Sequence, residues 1–364
     1  MSAATARAEV DAALARLREA GAALRARPAA AVHAALADVL DAWSAPGSPW
    51  QAELVAQLPA PTGFSPETVR EGLARGLAPY TGAALQALVQ AELGGPEALD
   101  APSNRRAGGF ETTAAVLGGA IPLPTLVAIV APLALRAPVL VKPAAYDPVT
   151  ARLLARALAE REPALGAAVE IAAFRRGDEE ALAALCTAEC VVATGSDAAI
   201  AAIGARVAPP RRFVGHGHRF SLALLGPAAT RGDAAAQAAG ALALDVALWD
   251  QLGCLSPVSV TVADADPRAA DRVAEALAPS LARLAEQMPR GSVPPEAAAA
   301  IARERAEAEM RAAAGAPVTL HAAPDTAWTV VREAEAAPRP APLHRFVRVH
   351  PAADPGAALA ALFA

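Results

Sequence analysis

The sequence predicts an α/β protein in which a helical N-terminal region precedes a Rossmann-like parallel sheet and a further α/β domain. From about residue 105, short apolar runs alternate with helix-periodic segments, which is typical of β–α–β crossovers. Before that point the periodic segments are helical. At 364 residues the chain is too long for one ordinary core, so two or three domains are expected.

The N-terminal region is predicted to contain helices separated by proline-rich turns. The segment that ends at Pro28 and the segment "AAAVHAALADVLDAW" both place apolar residues at helical spacing. A third helix is predicted over "SPETVREGLARGLAPY", where Ser65 is a suitable N-cap and Pro66 suits the first turn.

The central region is predicted to form the parallel sheet. Helices are predicted between the strands, and Asp147 is expected to cap the helix that follows Pro148. A G-x-G-x-x-G dinucleotide fingerprint is absent from this region. The predicted strands are "TTAAVLGGAIP", "APVLVKP", "VEIAAF", "CVVAT" and "RRFVGHGH".

The C-terminal region is predicted to be helical over 233–252, followed by the strand "SPVSVTVADADP". Two long helices come next, and "AWTVVREAE" and "HRFVRVHP" are predicted as further strands. The resulting domain boundaries are 1–104 for the helical region, 105–225 for the Rossmann-like domain and 226–364 for the last domain.

Composition argues against several classes of protein. The net charge is -5 and no long basic run occurs, so a nucleic-acid partner is not expected. The uncharged stretch between Glu111 and Arg136 has the length of a membrane span, but its prolines and glycines favour a buried β–loop–α unit.

Three cysteines without a signal peptide predict a reducing cytoplasm and no disulfides. Cys186 and Cys190 are predicted to lie in the core, and no metal site is expected.

Several segments together resemble the aldehyde dehydrogenase superfamily, and more closely its acyl-CoA reductase branch, the LuxC family. They are "LVKPAAYDP", "VVATGSDAAIAAI", "GHGHRFSLALLG", "DVALWDQLGCLSPVSVTV" and "AWTVV…APLHRFVRV", and the resemblance covers roughly 105–350. It implies an aldehyde-dehydrogenase-like fold with a cofactor domain and a catalytic domain. The implied activity is NADPH-dependent reduction of an acyl-CoA, a fatty acyl-CoA in that family, to an aldehyde.

Cys254 lies between a glycine and a leucine in "WDQLGCLSP". A lone cysteine is usually a buried structural residue. The resemblance instead implies a nucleophile, which attacks the thioester carbonyl and holds the acyl group as an enzyme thioester. Backbone N–H groups of the glycine-flanked turn would stabilise the thiolate and the oxyanion.

The resemblance also implies the cofactor residues. Gly195 and Ser196 open a helix directly after a strand, where free N–H groups suit a pyrophosphate or a ribose. Lys142 and Pro143 end a buried strand, and in the superfamily this lysine contacts the adenosine ribose or its 2′-phosphate. Ordinary roles, an N-cap serine and a solvated lysine, remain the alternatives.

His216 and His218 occupy the region where hydrolytic aldehyde dehydrogenases carry a general-base glutamate. Acyl transfer from CoA needs no such water-activating base, so the absence of the glutamate fits a reductase. A histidine there would deprotonate Cys254 or protonate the aldehyde oxygen, and a structural loop histidine is the alternative.

Three departures from the family pattern leave other functions open. Ala120 stands where relatives have an asparagine that donates to the oxyanion, and Arg136-Ala137 stands where they have Gly-Asn. Relatives also continue beyond the position that matches Ala364, and that segment helps to build their subunit interface. A non-catalytic binding or regulatory subunit and an oxidative aldehyde dehydrogenase are therefore the alternatives. Chain length of the acyl group, homo- or hetero-oligomerisation and any link to bioluminescence stay open.

Overall fold

The computed structural model describes residues 3–100 and 107–363. The chain forms two compact units. The first unit comprises Met1–Thr62 and Leu73–His218, and the second unit comprises Gly63–Gly72 and Arg219–Ala364. The two units are described separately below.

The first unit carries a helical N-terminal part and a five-stranded sheet. Its helices are α1 (Ala3–Arg25), α2 (Ala29–Ser44), α3 (Pro49–Gln57), α4 (Pro59–Thr62), α5 (Pro66–Leu77, which begins in the second unit), α6 (Gly82–Leu93), α7 (Leu123–Ala134), α8 (Thr150–Arg161), α9 (Pro163–Ala167), α10 (Glu179–Leu185) and α11 (Asp197–Gly204). Its strands are β1 (Thr113–Val116), β2 (Val139–Lys142), β3 (Val169–Ile171), β4 (Cys190–Thr194) and β5 (Arg212–His216).

The first sheet is parallel throughout and has the strand order β3-β2-β1-β4-β5. Its central strands are short and buried, as expected for apolar runs that helices cover on both faces. After β1 the chain adds two strands on one side and then returns to add β4 and β5 on the other. The topological switch point therefore lies between β1 and β4, and the predicted Rossmann-like sheet is confirmed.

Helix α1 belongs to the core of the first unit. Its apolar stripe, Val10, Leu14 and Leu17, is buried against a cluster that includes Leu185 of α10 and Val191 of β4. The stripe follows the helical period, so one face of α1 supplies the contact. Helix α1 is thus packed against the first sheet and the helix α10 that covers it.

Two predicted helix caps are present. The Ser65 hydroxyl oxygen accepts a hydrogen bond from the Thr68 N–H at 3.0 Å at the start of α5. Asp147 Oδ1 accepts from the Thr150 N–H at 2.9 Å at the start of α8. Each side chain satisfies a backbone donor that the helix itself leaves free.

The long uncharged stretch forms β1, a glycine-rich turn and the 12-residue helix α7, as predicted. Across residues 3–100 and 107–363, no helix is long and apolar enough to cross a membrane.

The second unit contains a five-stranded sheet of order β6-β7-β10-β9-β8. β8 pairs antiparallel with β9, and the other pairs are parallel. The strands are β6 (Ser221–Leu225), β7 (Pro257–Ala263), β8 (Thr319–Ala322), β9 (Thr329–Arg332) and β10 (Phe346–Ala352), and the helices are α12 (Gly232–Ala247), α13 (Ala269–Gln287), α14 (Pro295–Ala313) and α15 (Pro355–Phe363).

The predicted helix over 233–252 is wrong at its C-terminal end. Helix α12 ends at Ala247, and residues 248–251 form a 3₁₀ turn that contains left-handed backbone at Trp249 and Asp250. The apolar spacing continues through Leu248 and Trp249, so the pattern alone does not mark this end. Strands β6 and β8 were not predicted. Both are short strands at the edges of the sheet, with side chains that are half-buried or exposed.

Arg136 has a left-handed backbone, with φ at 57°, in the turn between α7 and β2. This is the position where the resembled family has glycine, the residue that adopts positive φ without strain. Its buried guanidinium donates to the carbonyls of Arg27 and Leu99, and to Asp100 Oδ1 at 2.6 Å. These bonds compensate for the backbone strain.

Arg136→Ala is expected to lower the free energy of unfolding by about 3 kcal/mol, because the strain remains while buried acceptors lose their donor. Urea unfolding of the two proteins measures the difference. Arg16→Ala is the control, since the Arg16–Glu170 pair is largely exposed and its loss should change little. Equal effects of the two substitutions would contradict the proposed role of Arg136.

Candidate active site

The carboxyl ends of β1 and β4 lie side by side at the switch point of the first sheet. The Gly118 N–H donates to Thr194 Oγ1 at 3.0 Å. A Cβ at Gly118 would lie 2.8 Å from the Thr194 carbonyl oxygen, so only glycine fits this approach. Ligands of open α/β sheets bind at such a crevice.

Gly195 and Ser196 follow β4 at this edge. The Ser196 hydroxyl oxygen accepts from the Ala199 N–H at 3.3 Å, so the serine is an N-cap of α11. Its hydroxyl proton stays available as a donor. Asp197 Oδ1 accepts from the His218 N–H at 2.8 Å, so this carboxylate holds the loop after β5.

His216 and His218 lie beside Gly195. The Gly195 N–H donates to the His216 carbonyl oxygen at 3.2 Å, and His216 is the last residue of β5. His218 Nδ1 is 3.8 Å from Asp197 Oδ2, and both imidazoles are exposed. The structure thus brings four predicted site residues, Gly195, Ser196, His216 and His218, to one edge of the first sheet.

Lys142 ends β2, and Pro143 follows it. Burial lowers the pKa of the Lys142 ammonium, whose Nζ lies 5.5 Å from the centre of the Phe174 ring. No carboxylate among residues 3–100 and 107–363 pairs with this ammonium. A half-buried, unpaired cation at the carboxyl end of a parallel strand is suited to a phosphate or a ribose.

Lys142 is also the only lysine in the chain, where lysine and arginine together number 32. Lysine presents a compact point charge with rotatable donors, and arginine cannot reproduce that geometry. This compositional signal was not used in the sequence analysis.

Arg175 and Arg176 are candidate binding residues that the sequence analysis missed. They follow β3 directly after Phe174, and both are exposed. Because β2 and β3 are parallel neighbours, these arginines lie at the same edge as Lys142. The adjacent pair in "AAFRRGDEE" was the available signal.

Ala120 lies half-buried in the turn after β1. Its methyl group cannot donate a hydrogen bond, so this turn lacks the amide that the family pattern places there.

Cys254 lies in the second unit, exposed on a turn that immediately precedes β7. The Ser256 N–H donates to the Gly253 carbonyl oxygen at 3.0 Å, which closes the turn around the cysteine. The Ser221 hydroxyl donates to the Cys254 carbonyl oxygen at 2.7 Å. Ser221 is thus a further site residue that the sequence analysis missed.

The turn leaves donors free beside the thiol. Within the part of the chain that the structure describes, the backbone N–H groups of Cys254 and Leu255 have no protein acceptor. Free N–H groups next to a nucleophile are suited to an oxyanion. Phe220 and Leu255 of the same unit expose 74% and 84% of their surfaces, so an apolar surface accompanies the turn.

Cys186 and Cys190 are buried, as predicted. Burial raises the pKa of the Cys186 thiol to about 11 and also raises that of Cys190. Both therefore remain protonated and inert near neutral pH. In residues 3–100 and 107–363, no group of three or more His, Cys, Asp or Glu side chains is placed to hold a metal ion.

The sequence profile of the acyl-CoA reductase (LuxC) family matches residues 26–362. The chain belongs to this family. Membership indicates an oxidoreductase that acts on an acyl or aldehyde group, and it confirms the resemblance that the cysteine turn and the Gly-His-Gly-His-Arg segment carried. No curated protein sequence matches this member of the acyl-CoA reductase family.

Solved structures of aldehyde dehydrogenases share the fold of this acyl-CoA reductase family member. A NAD-dependent benzaldehyde dehydrogenase from Corynebacterium glutamicum is 18% identical with a TM-score of 0.72, over 98% of this chain and 78% of that chain. Aldehyde dehydrogenase 21 from Physcomitrella patens, solved with succinate, is 18% identical with a TM-score of 0.68, over 96% and 73%. A mutant of aldehyde dehydrogenase C from Pseudomonas syringae, solved with NAD+ and octanal, is 17% identical with a TM-score of 0.70, over 98% and 74%.

Iodoacetamide at about pH 8 is expected to label Cys254 first, because the other thiols are buried and their pKa values are raised. Peptide mapping by mass spectrometry identifies the labelled residue, and labelling in denaturant gives the fully accessible reference. Labelling of Cys186 at the rate of Cys254 in the native protein would contradict the structure.

Proposed function

We propose that this protein reduces an acyl-CoA to the aldehyde with NADPH, through an acyl thioester on Cys254. The observation that carries the proposal is the Cys254 turn, which combines an exposed thiol with free backbone donors. Membership in the acyl-CoA reductase family gives the reaction class.

The first step uses groups of the second unit. The Cys254 thiolate attacks the thioester carbonyl, a new carbon–sulfur bond forms, and the thiolate of CoA leaves. We propose that the N–H groups of Cys254 and Leu255 donate hydrogen bonds to the oxyanion. Phe220 and Leu255 provide an apolar surface for the acyl chain. The acyl group then remains bound to the sulfur as a thioester.

The first unit is proposed to hold the nicotinamide cofactor. The close approach of Gly118 to Thr194 gives a bound cofactor access to backbone, and the unpaired Lys142 is available for its adenosine ribose or 2′-phosphate.

Gly195 and Ser196 offer the N-terminus of α11, while Pro143 shapes the turn after Lys142. When bound, the nicotinamide supplies the hydride that converts the thioester carbonyl to the level of an aldehyde. Arg175 and Arg176 add positive charge that favours NADPH over NADH.

His216 and His218 are the proposed proton carriers. An imidazole can both accept and donate a proton, so either residue suits deprotonation of the thiol or protonation of the oxygen as the aldehyde departs. Release of the aldehyde regenerates the Cys254 thiolate, and no residue has to activate water.

A second candidate function is a non-catalytic acyl-CoA-binding or regulatory subunit. Ala120 is the observation that favours it, because the turn after β1 lacks an amide donor. Loss of such a donor lowers the rate of related reactions by about two to three orders of magnitude. A third candidate, an aldehyde dehydrogenase in the oxidative direction, would release a carboxylic acid.

Incubation of the protein with a panel of acyl-CoAs and no reductant is expected to add one acyl group to Cys254. Intact-protein mass detects the adduct, and Cys254→Ala should remain unmodified. Addition of NADPH should then discharge the adduct as aldehyde, because the hydride reduces the thioester.

The products separate the three candidates. Absence of an adduct from folded wild-type protein with every chain length would overturn the reductase proposal and favour the binding subunit. A carboxylic acid as the main product would favour the aldehyde dehydrogenase.

Lys142→Met is expected to weaken NADPH binding by about tenfold or more and to affect NADH less, since a charge-assisted contact to the phosphate is lost. Fluorescence titration of both cofactors measures the two dissociation constants.

Burial lowers the Lys142 pKa, and only the ammonium form attracts phosphate. The preference for NADPH should therefore decline with rising pH already below the ordinary lysine range.

The single lysine provides a direct control for this prediction. An acetylating reagent can modify only one ε-amine in the chain, and NADPH should protect it. Equal loss of NADPH and NADH affinity in Lys142→Met, without protection by NADPH, would contradict the proposed contact.

A further inference from the structure

Two segments of the second unit have left-handed backbone over three successive residues, none of them glycine. The φ values are 51°, 51° and 64° at Trp249, Asp250 and Gln251. They are 63°, 56° and 66° at 343–345. Side chains with a Cβ avoid this conformation, so such segments persist only where their surroundings over-determine them. The first segment ends three residues before Cys254.

A buried ion pair joins the two segments. Arg345 donates from Nη2 and Nε to Asp250 Oδ1 at 2.7 and 3.0 Å, and the two side chains expose 1% and 4% of their surfaces. Arg345 Nη1 donates to the Met288 carbonyl oxygen at 2.8 Å. Asp250 Oδ2 accepts from the Gly291 N–H at 2.9 Å. Each charged group thus has a backbone partner in addition to the ion pair.

The Gln251 carboxamide closes the loop that carries the cysteine. Its Nε2 donates to the Pro257 carbonyl oxygen at 2.8 Å and to the Phe346 carbonyl oxygen at 3.0 Å. Its Oε1 accepts from the Phe346 N–H at 2.9 Å. Pro257 and Phe346 are the first residues of β7 and β10. One side chain therefore ties both ends of the loop from Gln251 to Pro257 to the sheet.

We infer that Asp250, Gln251 and Arg345 are positioning residues for the Cys254 thiol. We call these three residues the brace. The inference rests on the proposed function, in which the sulfur must meet a thioester carbonyl at a defined distance and angle. Gln251 holds both loop ends against the sheet, and Ser221 holds the Cys254 carbonyl, so the backbone that carries the sulfur has a defined position in the second unit. Displacement of a reacting group by about 1 Å lowers rates by about two orders of magnitude.

The same sheet offers a matched control. Glu333 and Arg348 form a second buried ion pair, with side chains exposed by 0% and 2%. Arg348 also contacts Glu304 and the Pro340 carbonyl, and it lies 5.1 Å from the centre of the Phe346 ring. Glu333 is the residue to substitute, because its ion pairs run to arginines and none of its described hydrogen bonds or ion pairs reaches Phe346 or the loop from Gln251 to Pro257. Substitution there disturbs a comparable buried network without touching the cysteine turn.

Gln251→Met tests the brace, because methionine keeps the length of the side chain and removes its three hydrogen bonds. Three quantities are compared with the wild type and with Glu333→Gln: the acylation rate of Cys254 by rapid-quench mass spectrometry, its alkylation rate by iodoacetamide, and Tm. Acylation of Gln251→Met is expected to be at least about tenfold slower. Alkylation should keep the wild-type rate, since a small reagent needs no alignment. Glu333→Gln should acylate at the wild-type rate despite its lower Tm.

Equal acylation rates in Gln251→Met and the wild type would overturn the inference. So would equal losses in Gln251→Met and Glu333→Gln, because the effect would then follow stability alone. Should Gln251→Met fail to fold, Gln251→Glu takes its place. A protonated carboxyl donates one hydrogen bond and a carboxylate none, so its acylation rate relative to the wild type must fall as pH rises. A rate ratio that does not change with pH would overturn the inference.

Failure of the proposed function is visible separately. If the wild-type protein accepts no acyl group, the proposed function is contradicted, and no variant is needed to reach that result. If the wild type is acylated and Gln251→Met is acylated at the same rate, only the inference about the brace is contradicted.

Discussion

The Asp250–Arg345 ion pair is the interaction on which the second unit's cysteine turn depends. Each left-handed residue with a side chain costs about 1–2 kcal/mol, and two runs of three such residues meet at this pair. Removal of one partner from a buried pair costs about 3–5 kcal/mol, because the other charge is left without compensation. The ion pair therefore stabilises a left-handed backbone that residues with a Cβ normally avoid. That backbone places the Gln251 side chain at the base of the Cys254 loop.

The first unit depends on a different constraint, the close approach of β1 and β4 at the switch point. Gly118 allows this approach at the carboxyl edge of the sheet, the edge where open α/β sheets bind their ligands. Two charged side chains at this edge, Asp197 and Lys142, differ in their partners. Asp197 accepts a hydrogen bond from the loop after β5. Lys142 lies beside the Phe174 ring, and among the described residues no carboxylate pairs with it. The unpaired ammonium is suited to an anionic ligand.

The environments of the three thiols match the roles proposed for them. Two are buried, and burial keeps them protonated, while the third is exposed beside free backbone donors. The proposed reaction assigns the nucleophile to the second unit and the cofactor to the first. Ala120 is one of the three departures from the family pattern, and the acylation rate of Cys254 is the quantity that separates an enzyme from a binding subunit.

Sequence patterns alone predicted the strands of the first sheet, two helix caps and a turn at Cys254, whereas the exposure of that cysteine is a finding of the structure. These features are local: strands such as "VLVK" are short apolar runs, and Ser65 and Asp147 bond to backbone two or three residues away. The strand order, the edge strands β6 and β8, the end of α12 at Ala247 and the left-handed segments become visible only in the folded structure. Their partners are distant in the chain, as Gln251 is from Phe346 and Arg136 from Arg27. A pattern of neighbouring residues does not encode contacts that form only once the sheets are assembled.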